Sequence, residues 1–259
     1  MSQPAKRRKL VQTSLAQKVV RPSTAKESVE TQRDTSSPCQ AADKGQTAQK
    51  VYPMFRPKQE RKVVHLVRHG QSEYNAAIFA DGDPRIADAP LTQKGQEQAR
   101  NLEGHLRRLH LPAGTLWVCS PLTRALHTLQ LSCWHLHGEE TPNLANFLIL
   151  RDITEHLGTF GDLGSPASVI RAKFPQLAPL MEQLPERWWF AHEANRDASC
   201  PYLKTEPMAL VKERCGKFRK WLQDRPEMAI VVVGHSTFFK TFTSSPHRLK
   251  NCEIQTILI

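Results

Sequence analysis

The sequence predicts an α/β fold: a three-layer, mostly parallel sheet with helices on both faces. Three observations predict it. From Lys62 onward, strand-like and helix-like segments alternate. The strand-like segments are near-continuous apolar runs, as expected of strands buried on both faces. Reactive polar residues follow directly on three of those runs, where open α/β sheets bind their ligands.

Each element has its own signal. Val63-Val64-His65-Leu66-Val67 is a short apolar run closed by a charged cluster and Gly70, a buried strand. Thr92 to His110 carries Ala99, Leu102, Leu106 and Leu109 at three- and four-residue spacing, a helical face. Leu116-Trp117-Val118-Cys119 reads as a second strand, Leu122 to Leu136 as the helix after it, and Phe147–Leu150 as a third strand. Glu206 to Leu222 predicts a helix with Leu210, Val211, Cys215, Phe218 and Leu222 on one side. Ala229–Val233 is five apolar residues bounded by Pro226 and Gly234, and Cys252–Ile259 is an edge strand.

The chain divides at about residue 62. Residues 1–62 hold 14 Lys/Arg against 5 Asp/Glu, whereas 63–259 hold 22 against 20. The net charge of +11 therefore belongs mostly to the N-terminal segment, which excludes a uniformly basic, histone-like binder of polyanions. Only 12 of those 62 residues are Val, Ile, Leu, Met, Phe, Trp, Tyr or Cys, too few to offset the entropy of ordering them. The sequence thus predicts a disordered basic arm, 1–62, and a catalytic domain, 63–259, which carries all five Trp and nine of the ten Phe. Lys6-Arg7-Arg8-Lys9 reads as a nuclear-import patch, giving a nuclear or cytoplasmic expectation. A mitochondrial presequence is the less favoured reading, because four contiguous basic residues are uncommon in one. No apolar run approaches the roughly 18 residues of a membrane span. Six scattered cysteines without a C-x-x-C pair read as reduced thiols, several of them core residues.

The first strand is followed by Arg68-His69-Gly70-Gln71-Ser72-Glu73-Tyr74-Asn75, the second by Ser120-Pro121-Leu122-Thr123-Arg124-Ala125, and Ala229–Val233 by Gly234-His235-Ser236. One sheet edge thus receives two arginines and two histidines. Guanidiniums, imidazoles and helix N-termini together suit a compact dianion, most simply a phosphoryl group. A neutral histidine in such a pocket can attack phosphorus, while the cations stabilise charge on the equatorial oxygens.

In order, the segments L-V-R-H-G-Q-S-x-x-N, A-P-L-T-x-x-G, S-P-L-T-R-A-x-x-T and V-V-V-G-H-S resemble the histidine phosphatase superfamily, with its phosphoglycerate mutase-like fold. The resemblance runs from about Val63 to Ile259. It implies that His69 is the nucleophile that becomes phosphohistidine, that Arg68, Asn75 and Arg124 grip the phosphoryl oxygens, and that His235 stabilises the transferred group. It further implies a general acid after the third strand, in Leu150-Arg151-Asp152-Ile153-Thr154-Glu155-His156, where Glu155 fits better than its neighbour Asp152. The stretch Asp162–Pro166, Phe174-Pro175 and Trp188-Trp189 is expected to roof the pocket, the tryptophans as core. No metal or cofactor is expected. His127, His135 and His137 are close in sequence, but histidines two apart on a helix point to different sides and no further ligand has the usual spacing.

The expected function is a phosphomonoesterase acting on a phosphorylated small molecule or phosphoprotein. The alternative is mutase-type phosphoryl transfer. It is placed second because the 79 residues between Glu155 and His235 hold only scattered arginines, Arg171, Arg187, Arg196, Arg214, Arg219 and Arg225, with no adjacent pair. A catalytically weak phospholigand-binding module is the second alternative. Nucleic acid is expected to meet the protein only nonspecifically, through the basic arm.

Overall fold

The computed structural model describes residues 61–77, 83–133, 144–190 and 203–259. The apolar runs form strands β1 (Val63–Arg68), β2 (Leu116–Cys119), β3 (Phe147–Ile149), β4 (Ala229–Gly234) and β5 (Ile254–Leu258). They pair in one sheet, in the order β3-β2-β4-β1-β5. β4 is parallel to both neighbours, with Val63 opposite Ala229 on one side and Leu116 opposite Ile230 on the other. β3 runs parallel to β2, and β5, the edge strand expected over 252–259, closes the far edge antiparallel to β1.

The helices are α1 (Glu73–Ala77), α2 (Gln93–Arg108), α3 (Thr123–Cys133), α4 (Ala167–Lys173), α5 (Met208–Asp224) and α6 (Ser236–Thr243). Because strand side chains alternate, each strand feeds two cores. Val67, Trp117, Cys119, Val231 and Val233 face one cluster with Leu102 and Leu106 of α2 and Leu126 and Leu129 of α3. Val64, Leu66, Leu116, Val118, Ile230 and Val232 face the other, with Val211, Phe218 and Leu222 of α5 and Phe238 and Phe242 of α6. Both faces are covered, so the unbroken apolar runs of the sequence have their physical cause. Phe218 packs 5.3 Å from Phe242 and 6.0 Å from Phe238, ring centre to ring centre. At about 1.5–3 kcal/mol per buried large side chain, this cluster anchors the short α6 and so fixes what stands at its start.

Two expectations are corrected. Leu210 is 39 % exposed. It lies about 100° around the helix from Val211, outside the stripe of Val211, Cys215, Phe218 and Leu222. Helix α5 also starts at Met208 behind Pro207, and leaves Glu206 as a buried carboxylate in the preceding loop. Cys119, Cys133 and Cys215 are free buried thiols, and Cys252 a free half-buried one, while Cys39 and Cys200 lie outside the described residues. So do residues 1–60 of the arm with its import patch, the end of the helix predicted to Leu136, and His135 and His137. Among the described residues, no helix is long and apolar enough to cross a membrane.

Candidate active site

The helices after β1 cover one face of the sheet and the helix after β4 covers the other, so the chain parts at the carboxyl ends of β1, β4 and β2. The strand ladder runs straight into this crevice: His69 N donates to Gly234 O at 3.0 Å, and Ser120 N to Val233 O at 3.1 Å. His69, Ser120 and His235 are thereby placed side by side from three distant stretches of sequence.

The loop of His69 is held from below by α2. Thr92 Oγ1 accepts from Gly95 N at 3.0 Å, capping that helix, and Thr92 N donates to Gln71 O. A Cβ on Gly95 would stand 2.0 Å from Gln71 O, so only glycine permits this approach. This is the structural content of the A-P-L-T-x-x-G segment. Gly70 N donates to Thr128 Oγ1 at 3.0 Å, and Thr128 in turn donates to Arg124 O at 2.7 Å. Asn251, in the turn before β5, donates from Nδ2 to His69 O at 2.9 Å.

His69 is 3 % exposed. Its Nδ1 lies 2.6 Å from Gly70 O, which can only accept, so Nδ1 carries the proton. Nε2 is left as an acceptor and takes a hydrogen bond from Arg124 Nε at 3.2 Å. Burial first, then the charges of Arg124 and Arg68, hold the ring well below the usual histidine pKa, so it is neutral. The His235 ring lies 5.2 Å away, centre to centre, fully buried and held neutral by burial and by Arg124. Its Nε2 meets Ser120 Oγ at 2.8 Å, while Nδ1 is buried with no hydrogen-bond partner.

Arg124 is the second residue of α3, whose first turn is fixed by Asp88: the buried Asp88 carboxylate accepts from Thr123 N at 2.8 Å and Thr123 Oγ1 at 2.6 Å. Beyond its contact with His69, Arg124 donates Nη1 to Gly161 O at 2.6 Å and Nη2 to Asp162 Oδ1 at 3.0 Å. Arg68 donates Nη1 to Leu249 O at 2.8 Å, and its Nε is buried without a partner. Asn75 sits on α1, its Oδ1 engaged by Ser72 N and Asn251 Nδ2 at 3.3 and 3.4 Å, which leaves its amide nitrogen as the end that can serve an anion.

Of the two acids weighed for proton transfer, Glu155 is at the site and Asp152 is not. Glu155 accepts from His156 N and Phe238 N at 2.9 Å and from Thr237 N at 3.0 Å, so its carboxylate caps α6 immediately behind His235. Asp152 points outward with its side chain 54 % exposed, 3.9 Å from Arg151. The segment carrying Glu155 is clamped by a partly buried pair: Arg214 meets the buried Glu206 through Nε and Nη2 at 2.9 and 2.8 Å, and its Nη1 donates to Asp152 O and Thr154 O. A cleft of about 260 Å³ opens beside this clamp, lined by Thr154, Trp188, Trp189 and Arg214 among others. Both tryptophans are nearly buried and pack edge to face, as core residues do. His127, weighed as a metal ligand, lies instead against Phe174.

Sequence reasoning thus places six of its site residues around one crevice, assigns Asp162 only to the roof, and misses Asp88, Ser120, Thr128, Asn251 and the Arg214–Glu206 clamp. Thr128 and Ser120 carried a signal, being polar residues among apolar neighbours within the motifs. Asn251 carried none, because its role exists only through a contact 182 residues away.

Residues 64–148 match the family model of the histidine phosphatase superfamily, branch 1. A phosphoglycerate mutase-like protein of Arabidopsis thaliana is 26 % identical over 252 residues, covering 81 % of this chain and 87 % of its own. A 6-phosphofructo-2-kinase/fructose-2,6-bisphosphatase of Caenorhabditis elegans is 40 % identical over 67 residues, 26 % of this chain and 13 % of that longer protein. Solved structures similar to this one include a mycobacterial glucosyl-3-phosphoglycerate phosphatase, 20 % identical with a TM-score of 0.46 over 75 % of this chain and 90 % of that one. A phosphoserine phosphatase from Entamoeba histolytica is also 20 % identical, with a TM-score of 0.44 over 75 % and 89 %. Over residues 64–148, which carry Arg68, His69, Asn75 and Arg124, the chain resembles the histidine phosphatase superfamily.

Proposed function

We propose that the protein hydrolyses phosphomonoesters through a phosphohistidine on His69. The observation that carries this reading is the pairing of an unprotonated, neutral His69 Nε2 with two buried polar nitrogens that lack partners, Arg68 Nε and His235 Nδ1. Buried polar atoms left unsatisfied are costly, and a ligand that takes their hydrogen bonds removes the cost. A phosphoryl group supplies oxygens for both, while its phosphorus faces the Nε2 lone pair.

In the first half-reaction Nε2 forms the N–P bond as the ester P–O bond breaks, and the leaving oxygen takes a proton from Glu155. In the second, water attacks phosphorus, Glu155 takes its proton back, the N–P bond breaks and inorganic phosphate leaves. Arg124 turns its Nε from His69 to a phosphoryl oxygen, and Arg68 and Asn75 hold the others. Hydrolysis is favoured over mutase transfer because Arg171 and Arg214 are committed to Glu186 and Glu206, not turned to a second anionic group of the substrate. Trapping of labelled phosphate from an aryl phosphate, quenched in alkali where the N–P bond survives, tests the reading: label retained on His69 supports it, and wild-type turnover matched by His69→Ala defeats it.

We further take residues 63–259 as the catalytic unit and 1–62 as an arm directing the protein to the nucleus through Lys6–Lys9. A fluorescent fusion of residues 1–60 that stains mitochondria would reverse that assignment.

A further inference from the structure

His235 can serve a phosphoryl oxygen only as a donor, and which of its nitrogens carries the proton is decided by Ser120. The Ser120 side chain is fully buried, and its oxygen has two hydrogen-bond neighbours: Leu122 N at 3.4 Å and His235 Nε2 at 2.8 Å. The Leu122 N–H can only donate. If His235 were protonated on Nε2, Ser120 would accept from both neighbours. Its own O–H would then point at no acceptor, and the lone pair of Nδ1 would be stranded as well. If instead Ser120 donates its O–H to Nε2, the hydroxyl is satisfied on both sides, and one orphan remains, an Nδ1–H beside His69. Two buried unsatisfied groups cost more than one, so the second arrangement prevails.

The geometry points to Ser120 as a positioning residue that fixes the His235 proton on Nδ1, turning a ring that could repel an anion into a donor for it. This rests on the phosphohistidine reading, because it is the phosphoryl oxygen that completes the network. The lowered affinity of His235 for a second proton agrees with it, since the ring stays a neutral single-proton donor near neutral pH. The roles of the two histidines thereby separate. Both carry the proton on Nδ1, but His69 spends it on Gly70 O and keeps Nε2 for attack, whereas His235 spends Nε2 on Ser120 and keeps the proton for the ligand.

The test is long-range proton–nitrogen correlation on the full chain labelled with 15N-histidine, with His235 assigned by the loss of its signals in His235→Asn. Wild type should show a protonated Nδ1 and a bare Nε2 at His235, and the reverse pattern would overturn the inference without any assay of activity. Ser120→Ala should lose that single-tautomer pattern and lose about 100-fold in kcat on para-nitrophenyl phosphate, the scale of one missing oxyanion donor. Ser120→Thr, which keeps the hydroxyl, should restore the pattern and most of the turnover. An unchanged tautomer with turnover within twofold in Ser120→Ala would also overturn it. Failure of the phosphatase reading is seen separately: wild type would then neither turn over para-nitrophenyl phosphate nor shift its histidine signals with vanadate, whatever the tautomer.

Discussion

Arg124 Nε stands 3.2 Å from His69 Nε2, so the cation proposed to hold the phosphoryl group rests on the nitrogen proposed to attack it. The contact has two consequences. A donor on Nε2, backed by a full positive charge, disfavours protonation of that nitrogen and keeps the lone pair available. The same donor must move before Nε2 can reach phosphorus, and the tethers to Gly161 O and Asp162 Oδ1 define where it moves from.

Replacing Arg124 therefore has separable effects. Arg124→Ala removes one of the causes that lower the His69 pKa, so that pKa should rise toward its usual value, and kcat/KM should fall by about 10²–10³. Arg124→Lys keeps a charge near Nε2 but not the planar fork. It should hold the His69 pKa low while still losing activity. Histidine titration by NMR beside steady-state kinetics checks the pair; equal pKa values in wild type and Arg124→Ala would refute the electrostatic role.

Two buried neutral histidines make stability depend on pH in a defined direction. His69 and His235 are both held well below the usual value of about 6.5, so the unfolded chain binds protons that the folded one refuses. Their contribution is fully present above pH 6.5 and is lost as pH falls below it, at up to about 1.4 kcal/mol per pH unit for each ring. Urea unfolding at pH 7 and pH 5.5 should show a smaller loss for the His69→Asn, His235→Asn double variant than for wild type. Parallel losses would place the acid sensitivity elsewhere.

The sheet was legible because its strands are buried on both faces, which writes unbroken apolar runs such as Ile230–Val233 into the sequence. The candidate site residues were legible because they follow those runs directly. Positioning residues were less so. Asp88 acts by capping the turn that holds Arg124, and Arg214 acts through Glu206 and two carbonyls, contacts that no local spacing encodes. Leu210 was misplaced by counting apolar residues along α5 without resolving the 100° step to its neighbour.

The two candidate acids should separate by leaving group. Glu155→Gln removes the proton carrier, so alkyl phosphates should slow by about 10²–10⁴, while para-nitrophenyl phosphate, whose leaving oxygen needs little help, slows less in the first step. Its second step still needs a base, so phosphohistidine should accumulate and a burst of nitrophenol should appear. Asp152→Asn, altering an exposed side chain, should stay within twofold on both substrates. A large loss there with an undisturbed Glu155→Gln would transfer the role to Asp152.

The clamp behind Glu155 admits a double-mutant cycle. Glu206 is 4 % exposed at its side chain and Arg214 17 %, so removing the arginine alone strands a carboxylate in the interior. Arg214→Met should therefore cost about 3–5 kcal/mol in urea unfolding, the range for breaking one side of a buried pair. Replacing both, Arg214→Met with Glu206→Met, removes the stranded charge and should recover much of that stability. It cannot recover the hydrogen bonds from Arg214 Nη1 to Asp152 O and Thr154 O, which hold the turn bearing Glu155. The double variant is thus expected to regain stability but not kcat, with KM for para-nitrophenyl phosphate nearly unchanged, because the phosphoryl grip lies on other elements. Recovery of both together would show that the clamp stabilises the fold without positioning the acid.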